Sequence, residues 1–266
     1  MVSEKNRPSK ILRFLMPYLV LVFCIGIWQA IAMSGWFLPD LLPSPVAVFQ
    51  ATLELGQNGI LFQHILASLV RVFAGFGLAV LVAVPMGFVL GRYRRLQEAF
   101  NPIIQILRPI SPIAWIPLAI LWFGIGDKPA IFIIFITTFF PVLVASITSV
   151  RNIEPIYVKT AVNFGASDRD ILIKIILPAT FPHVFVSLRI ALGTAWVIIV
   201  AAEMVGMRSG LGFLILDARN FLRTDMVVAG MLTIGLVGFA LDRIMVSIEN
   251  RIRKRWGYKH VHIFGF

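Results

Sequence analysis

Cysteine is almost absent from the 266 residues: Cys24 stands alone, so no internal disulfide can form. The four histidines, His64, His183, His260 and His262, show no metal-ligand spacing with other ligands, and no metal site is expected. Charge is scarce at 14% of residues, and acidic charge scarcer still, with 13 Asp and Glu against 24 Lys and Arg. A Gly-x-x-x-x-Gly-Lys-Ser/Thr segment is missing, so the chain is not expected to cradle a nucleotide phosphate or hydrolyse ATP. No nucleophile, base and orienting group gather in a readable motif, which argues against a membrane-embedded enzyme. Internal repeats and low-complexity linkers are missing too, so one membrane domain over residues 1–266 is expected.

Apolar residues make up 59% of the chain and its mean hydropathy is +0.89, well beyond a soluble domain of this length. The expected fold is all-α and polytopic, with six transmembrane helices. The formal charge of +11 does not gather in one stripe; the basic residues flank apolar runs, so they report membrane topology and not nucleic acid.

A basic tail over residues 1–13 precedes a first span, Ile11 to Met33, long enough to cross about 30 Å of hydrocarbon. Ala30-Ile31-Ala32 also reads as a signal-peptide cleavage site, although the apolar run exceeds a usual signal core. Residues 34–64 contain no Lys or Arg, which marks the outer side. Within them Ser44 caps an amphipathic helix with Pro45 at its first position and Val46, Phe49 and Leu53 on its apolar face, expected to lie on the outer surface. The second span, about 65–91, ends in Arg92, Arg94 and Arg95 on the inner side. Arg71 falls in its outer third and is either a functional buried charge or a residue that snorkels to the interface.

The third span, about 101–123, is broken by Pro102, Pro109, Pro112 and Pro117. Each removes a backbone donor, so Arg108, Ser111, Pro112 and Trp115 are candidates for an irregular gate segment, the alternative being a kink packed in protein. A tight outer turn, Trp122 to Lys128, leads to the fourth span, 129–150. The fifth, about 181–205, carries Arg189 and Glu203. A glycine-rich outer turn follows, Ser209 to Phe213, with the character of a lid or docking turn and not of a rigid helix start. The sixth, about 226–248, precedes a basic cytoplasmic tail over 251–266, so both termini face the cytoplasm.

Between spans four and five lies a stretch too charged for lipid, Arg151 to Pro178. Asn152 or Glu154 caps a helix whose first turn holds Pro155, with Ile156, Thr160, Ala161 and Phe164 on one face. Gly165 stops it in the left-handed conformation. Ser167 and Asp170 then form a capping box for a second short helix, with Ile171, Leu172, Ile175 and Ile176 on one side, which Pro178 is expected to close.

That loop resembles the signature of the permease subunits of bacterial ABC importers: Glu-Ala-Ala, three residues, Gly, nine residues, Ile-x-Leu-Pro. Ala161, Gly165, Ile175, Leu177 and Pro178 match; Lys159 and Thr160 replace the Glu and first Ala, so no glutamate contact is implied here. Further matches to the nitrate, sulfonate, taurine and bicarbonate group include Leu42-Pro43-Ser44-Pro45, Ala67 to Val72, Trp122 to Gly126, Leu188 to Gly193 and Ala201 to Met204. The resemblance implies a non-catalytic permease of the bacterial inner membrane that imports a small oxyanion. It further implies a second permease copy, two ABC ATPase subunits that bind ATP and Mg, and an extracytoplasmic solute-binding protein. Coupling to the ATPase would fall on Lys159, Ala161, Asn163, Phe164, Gly165, Ala166, Ser167, Asp168, Ile175, Leu177 and Pro178.

A stand-alone anion channel or gradient-driven transporter is the competing class. Gradient coupling would usually place acidic or histidine residues near the bilayer midplane, whereas the intramembrane charges here lie mostly near span ends. Arg71 and Arg189 are candidates to attract an anion, with Glu203 in the same candidate pathway; Arg189 is equally suited to pair with Asp242.

Overall fold

The computed structural model describes residues 10–36, 38 and 41–255; the outermost parts of both expected tails, and Asp40, lie outside these. Among the described residues all regular structure is helical. Among the described residues five helices are long and apolar enough to cross a membrane, and a bent pair, Arg94–Leu107 with Pro112–Phe123, makes six where it counts as one broken span. Of these, α3 (Ile60–Arg92) ends on a charged residue and α6 (Asp127–Arg151) both begins and ends on one.

The chain's contacts fall into two units. The first comprises residues up to Leu61 together with Leu214–Leu232. It holds α1 (Lys10–Met33) and α2 (Pro45–Gln57), joined where the Trp28 indole donates to the Pro43 carbonyl at 3.1 Å. The Ser44 hydroxyl accepts from the Ala47 amide and Pro45 occupies the first turn, as the sequence predicts. Val48, Ala51 and Leu55 pack inward, while the expected apolar face, Val46, Phe49 and Leu53, is exposed on the other side of the helix. Both triplets have the spacing i, i+3, i+7, so periodicity alone does not choose between them. In the turn before α11 (Thr224–Arg255), Arg223 bonds Asp225 and Glu54, and these carboxylates hold its guanidinium above its ordinary pKa.

The second unit, Phe62–Phe213 with Thr233–Phe266, is built on helix pairs. Gly75, Ala79, Ala83, Gly87 and Gly91 recur every fourth residue on α3. A Cβ at Gly75 would stand 2.6 Å from the Ile131 carbonyl oxygen, and one at Gly87 would collide with Ser146. Small residues let the two membrane helices approach to backbone contact. Val142, Leu143 and Ile147 of α6 continue that core with Leu90, with Ile104 of α4 (Arg94–Leu107) and with Ala191 of α9 (Leu177–Gly206). The Trp196 indole ties α9 to α11 by donating to the Ile234 carbonyl at 3.0 Å.

The third span is not one helix. α4 starts at Arg94, and after it the chain turns by 84° into a 3-10 turn (Pro112–Trp115) and α5 (Ile116–Phe123). Pro109 falls in the break and Pro112 opens the 3-10 turn, and their missing amides leave the ladder of α4 no way to continue. Pro102 is tolerated inside α4, and Pro117 occupies the first turn of α5.

Pro178 does not end the second loop helix. That helix, α8 (Asp168–Ile171), passes into a π-helical turn (Leu172–Ile176) and then directly into α9, so the rod runs unbroken from Asp168 to Gly206. A π-turn adds one residue and changes the ladder register, which accommodates the proline ring and its missing amide. The buried residues shift accordingly: Ile171 and Ile176, five apart, are buried, whereas Leu172 points outward.

The glycine-rich turn over Ser209 to Phe213 is also more ordered than expected. α10 (Leu211–Asn220) begins inside it, and Gly212 sits where any side chain would strike the Val200 carbonyl.

Candidate functional site

The polar loop begins with α7 (Pro155–Asn163), with Glu154 at the N-cap position and Pro155 first in the helix. It ends in a Schellman motif. The Ala166 amide bonds the Ala161 carbonyl at 3.0 Å and the Gly165 amide the Val162 carbonyl at 2.9 Å, with Gly165 at φ +77°. Ser167 then caps α8 by accepting from the Asp170 amide, while its hydroxyl donates to the Asp170 carboxylate at 2.6 Å; Lys174 adds an ion pair at 2.7 Å.

One side of the loop is anchored and the other bare. Ile171 and Ile176 share a core with Phe88, Val150 and Val184, and Ile153, Val158, Ala161 and Ala166 pack against it. Of the expected face of α7, only Ala161 turns inward; Ile156, Thr160 and Phe164 are exposed. Tyr157 and Val162 are exposed too, and Phe164 is 87% accessible. Lys159, Asn163, Gly165, Ser167 and Asp168 are likewise exposed, Leu177 is exposed at the start of α9, and Ile175 and Pro178 are half-buried.

The far end of the same rod carries a buried charge cluster. Glu203 is fully buried and Arg71 4% exposed, with Nη1 to Oε1 at 2.8 Å. Arg71 also donates to Asp127 at 2.7 Å and to the carbonyl and hydroxyl of Ser209 at 2.8 and 2.6 Å. Ser68 donates to Glu203 at 2.8 Å and accepts from the Leu211 amide, while the Gly212 amide donates to Glu203 at 2.9 Å. The Gly210 amide donates to Nδ1 of His64, which requires that nitrogen to be unprotonated. Arg71 therefore does not snorkel: with Glu203 it fastens the Ser209–Gly212 turn to α3 and α9.

Arg189 and Asp242 form a bidentate pair, at 2.7 and 3.0 Å, so the pairing alternative for Arg189 is the one realised. Arg108, Ser111, Pro112 and Trp115 sit at the break after α4, separate from both clusters. Trp115 packs tilted against Trp122 and edge-on against Phe132, its ring centroid 6.5 Å from each. His64, Ser68 and Asp127 are not among the sequence candidates, and Ser209 enters only as the first residue of the glycine-rich turn. A signal was present: His64, Ser68 and Arg71 lie at i, i+4 and i+7, one polar stripe on an apolar span. Among the described residues no group of three His, Cys, Asp or Glu side chains gathers to hold a metal.

Residues 79–254 match the family described as the binding-protein-dependent transport system inner membrane component. The taurine transport system permease protein of Escherichia coli is 33% identical over 87% of this chain and 86% of its own length. The bicarbonate transport system permease protein of Synechococcus elongatus is 34% identical over 93% of this chain and 92% of its own. In fold, the chain is similar to the inward-facing MetNI methionine ABC transporter, with a TM-score of 0.58 and 20% identity over 71% of this chain and 96% of that one. The family match, covering most of the described helices, and relatives aligned nearly end to end lead to one conclusion: this multi-pass membrane chain belongs to the binding-protein-dependent inner-membrane components, the permease subunits of ABC transporters.

Proposed function

We propose that this permease belongs to an ATP-driven importer that moves a small oxyanion of the nitrate, sulfonate or bicarbonate class into the cytoplasm. Two copies would form the pore, two ATPase subunits would bind ATP and Mg beneath it, and an extracytoplasmic binding protein would deliver the solute. The observation that carries the reading is the bare side of α7. Ile156, Tyr157, Val162 and Phe164 are exposed on a segment whose Lys159, Arg169 and Lys174 keep it out of lipid, so another protein must cover them. A cytoplasmic ATPase docked there fits both the residue chemistry and the family.

The mechanism follows from one continuous rod. The helix from Asp168 to Gly206 has 39 residues, about 58 Å at the usual rise. A push on α7 reaches it through the core of Ile171 and Ile176, and the rod delivers the displacement to Glu203 at its other end. The outer turn, held by Glu203 and Arg71, would then move with the cytoplasmic loop. As for the solute, the taurine and bicarbonate relatives are matched almost equally well, so the class rests on their shared oxyanion character.

The test is reconstitution in vesicles with the partner ATPase and binding protein. Uptake should require ATP on the side that holds the 151–178 loop. Flux through the purified permease alone would replace this reading with a channel. Calorimetry of the binding protein against nitrate, bicarbonate, taurine and alkanesulfonates would identify the solute.

A further inference from the structure

The three arginines that could serve an anion path have different electrostatic fates. Arg71 is neutralised by Glu203 and Asp127, and Arg189 by Asp242, so neither offers net positive charge to a passing anion. Arg108 has no hydrogen-bond or ion-pair partner for its guanidinium among the described residues. The break after α4 presents it to an open cavity of about 520 Å³, which Thr148, Asn152, His183, Ser187 and Arg253 also line.

That cavity has the chemistry of an anion site. Among the described residues no carboxylate lines it. Arg253 lies 3.3 Å from Glu249, so its charge is shared, and Arg108 carries the uncompensated charge. The Thr148 hydroxyl, the Asn152 amide and the His183 ring also lack partners among the described residues, and each can donate a hydrogen bond. The Ser187 hydroxyl already donates to the His183 carbonyl at 3.1 Å. Pro141, Val144, Ala145, Pro182 and Val186 form its apolar walls, against which the few polar groups are the points that can fix a ligand. Polar side chains on membrane helices generally face a wet cavity or a protein partner, and here they converge.

We infer that this cavity binds a small, singly charged oxyanion, with Arg108 supplying the charge and His183, Asn152 and Thr148 donating hydrogen bonds. The inference rests on the importer reading and locates a solute site within the chain. One uncompensated charge favours a monoanion over a dianion of similar size.

The experiment uses the full-length permease in lipid nanodiscs without nucleotide, carrying Cys24→Ser and a reporter, Val186→Cys, on the cavity wall. The labelling rate with a neutral maleimide is followed while nitrate, bicarbonate, ethanesulfonate or sulfate replaces gluconate at constant ionic strength. At least one monoanion should slow labelling saturably, and Arg108→Gln should raise its midpoint about tenfold, with Arg108→Lys between the two. The site is overturned if no monoanion protects, if protection is unchanged in Arg108→Gln, or if sulfate protects best. Arg108 is exposed and unpaired, so its loss leaves the fold intact, and the Arg108-intact reporter alone can overturn the site. ATP-driven uptake of an anion that gives no protection would sink the site and leave the importer reading standing. Protection without ATP-dependent uptake would do the reverse.

Discussion

Arg71 and Glu203 stand 132 residues apart in the chain and 2.8 Å apart in the fold, both buried, with the turn at Ser209 to Gly212 bonded to the pair. Removing one partner leaves the other charged and desolvated, at a cost of about 3–5 kcal/mol for a buried pair. Glu203→Ala should therefore lower the thermal midpoint of the detergent-purified chain strongly, and Glu203→Gln less, since the amide oxygen still accepts. Arg71→Met combined with Glu203→Leu should recover part of the loss. An alanine variant as stable as the parent would show that the pair does not hold the turn.

Gly165 occupies a left-handed turn where a Cβ would meet nothing within 4 Å, so a substitution there is penalised by backbone conformation alone. The penalty is roughly 1 kcal/mol for alanine and more for a β-branched residue. Gly165→Val should leave membrane insertion unchanged while reducing ATPase co-purification and solute-stimulated ATP hydrolysis; Gly165→Ala should be milder. Normal ATPase recovery and transport in the valine variant, at equal permease levels, would remove this turn from the coupling surface.

Gly87 tests the opposite case, a glycine required by close approach. Its Cβ would collide with Ser146 on α6, so Gly87→Val must separate two helices packed along their backbones. The expected result is a large drop in folded protein by size-exclusion profile, whereas Gly77→Val, with open space around it, should behave like the parent. Equal behaviour of the two variants would contradict the close packing.

Orientation can be read with single cysteines in a Cys24→Ser background. Gln57 and Asn163 are both exposed. The absence of Lys and Arg over 34–64 and the basic inner loops predict that an impermeant thiol reagent labels Gln57→Cys on intact cells and spares Asn163→Cys. Labelling at Asn163→Cys alone would invert the topology.

Local chemistry was legible in the sequence because short-range geometry decides it. Ser44 before Pro45, Ser167 three residues before Asp170, and Gly165 after a helical run each specify a cap or turn within a few residues, and each occurs as read. The apolar spans were legible for the same reason, since length and hydropathy suffice to propose a crossing. Which face of α2 is buried was not, because Val46/Phe49/Leu53 and Val48/Ala51/Leu55 share one period and only the surroundings choose between them. Nor was the passage through Pro178, where a π-turn absorbs a proline that local rules read as a stop. The fates of the arginines were the least accessible. Arg71 and Arg189 find their carboxylates through contacts between distant helices, whereas among the described residues no carboxylate reaches the cavity that Arg108 lines. Charge pairing across helices depends on three-dimensional distance, which the order of residues along the chain does not contain.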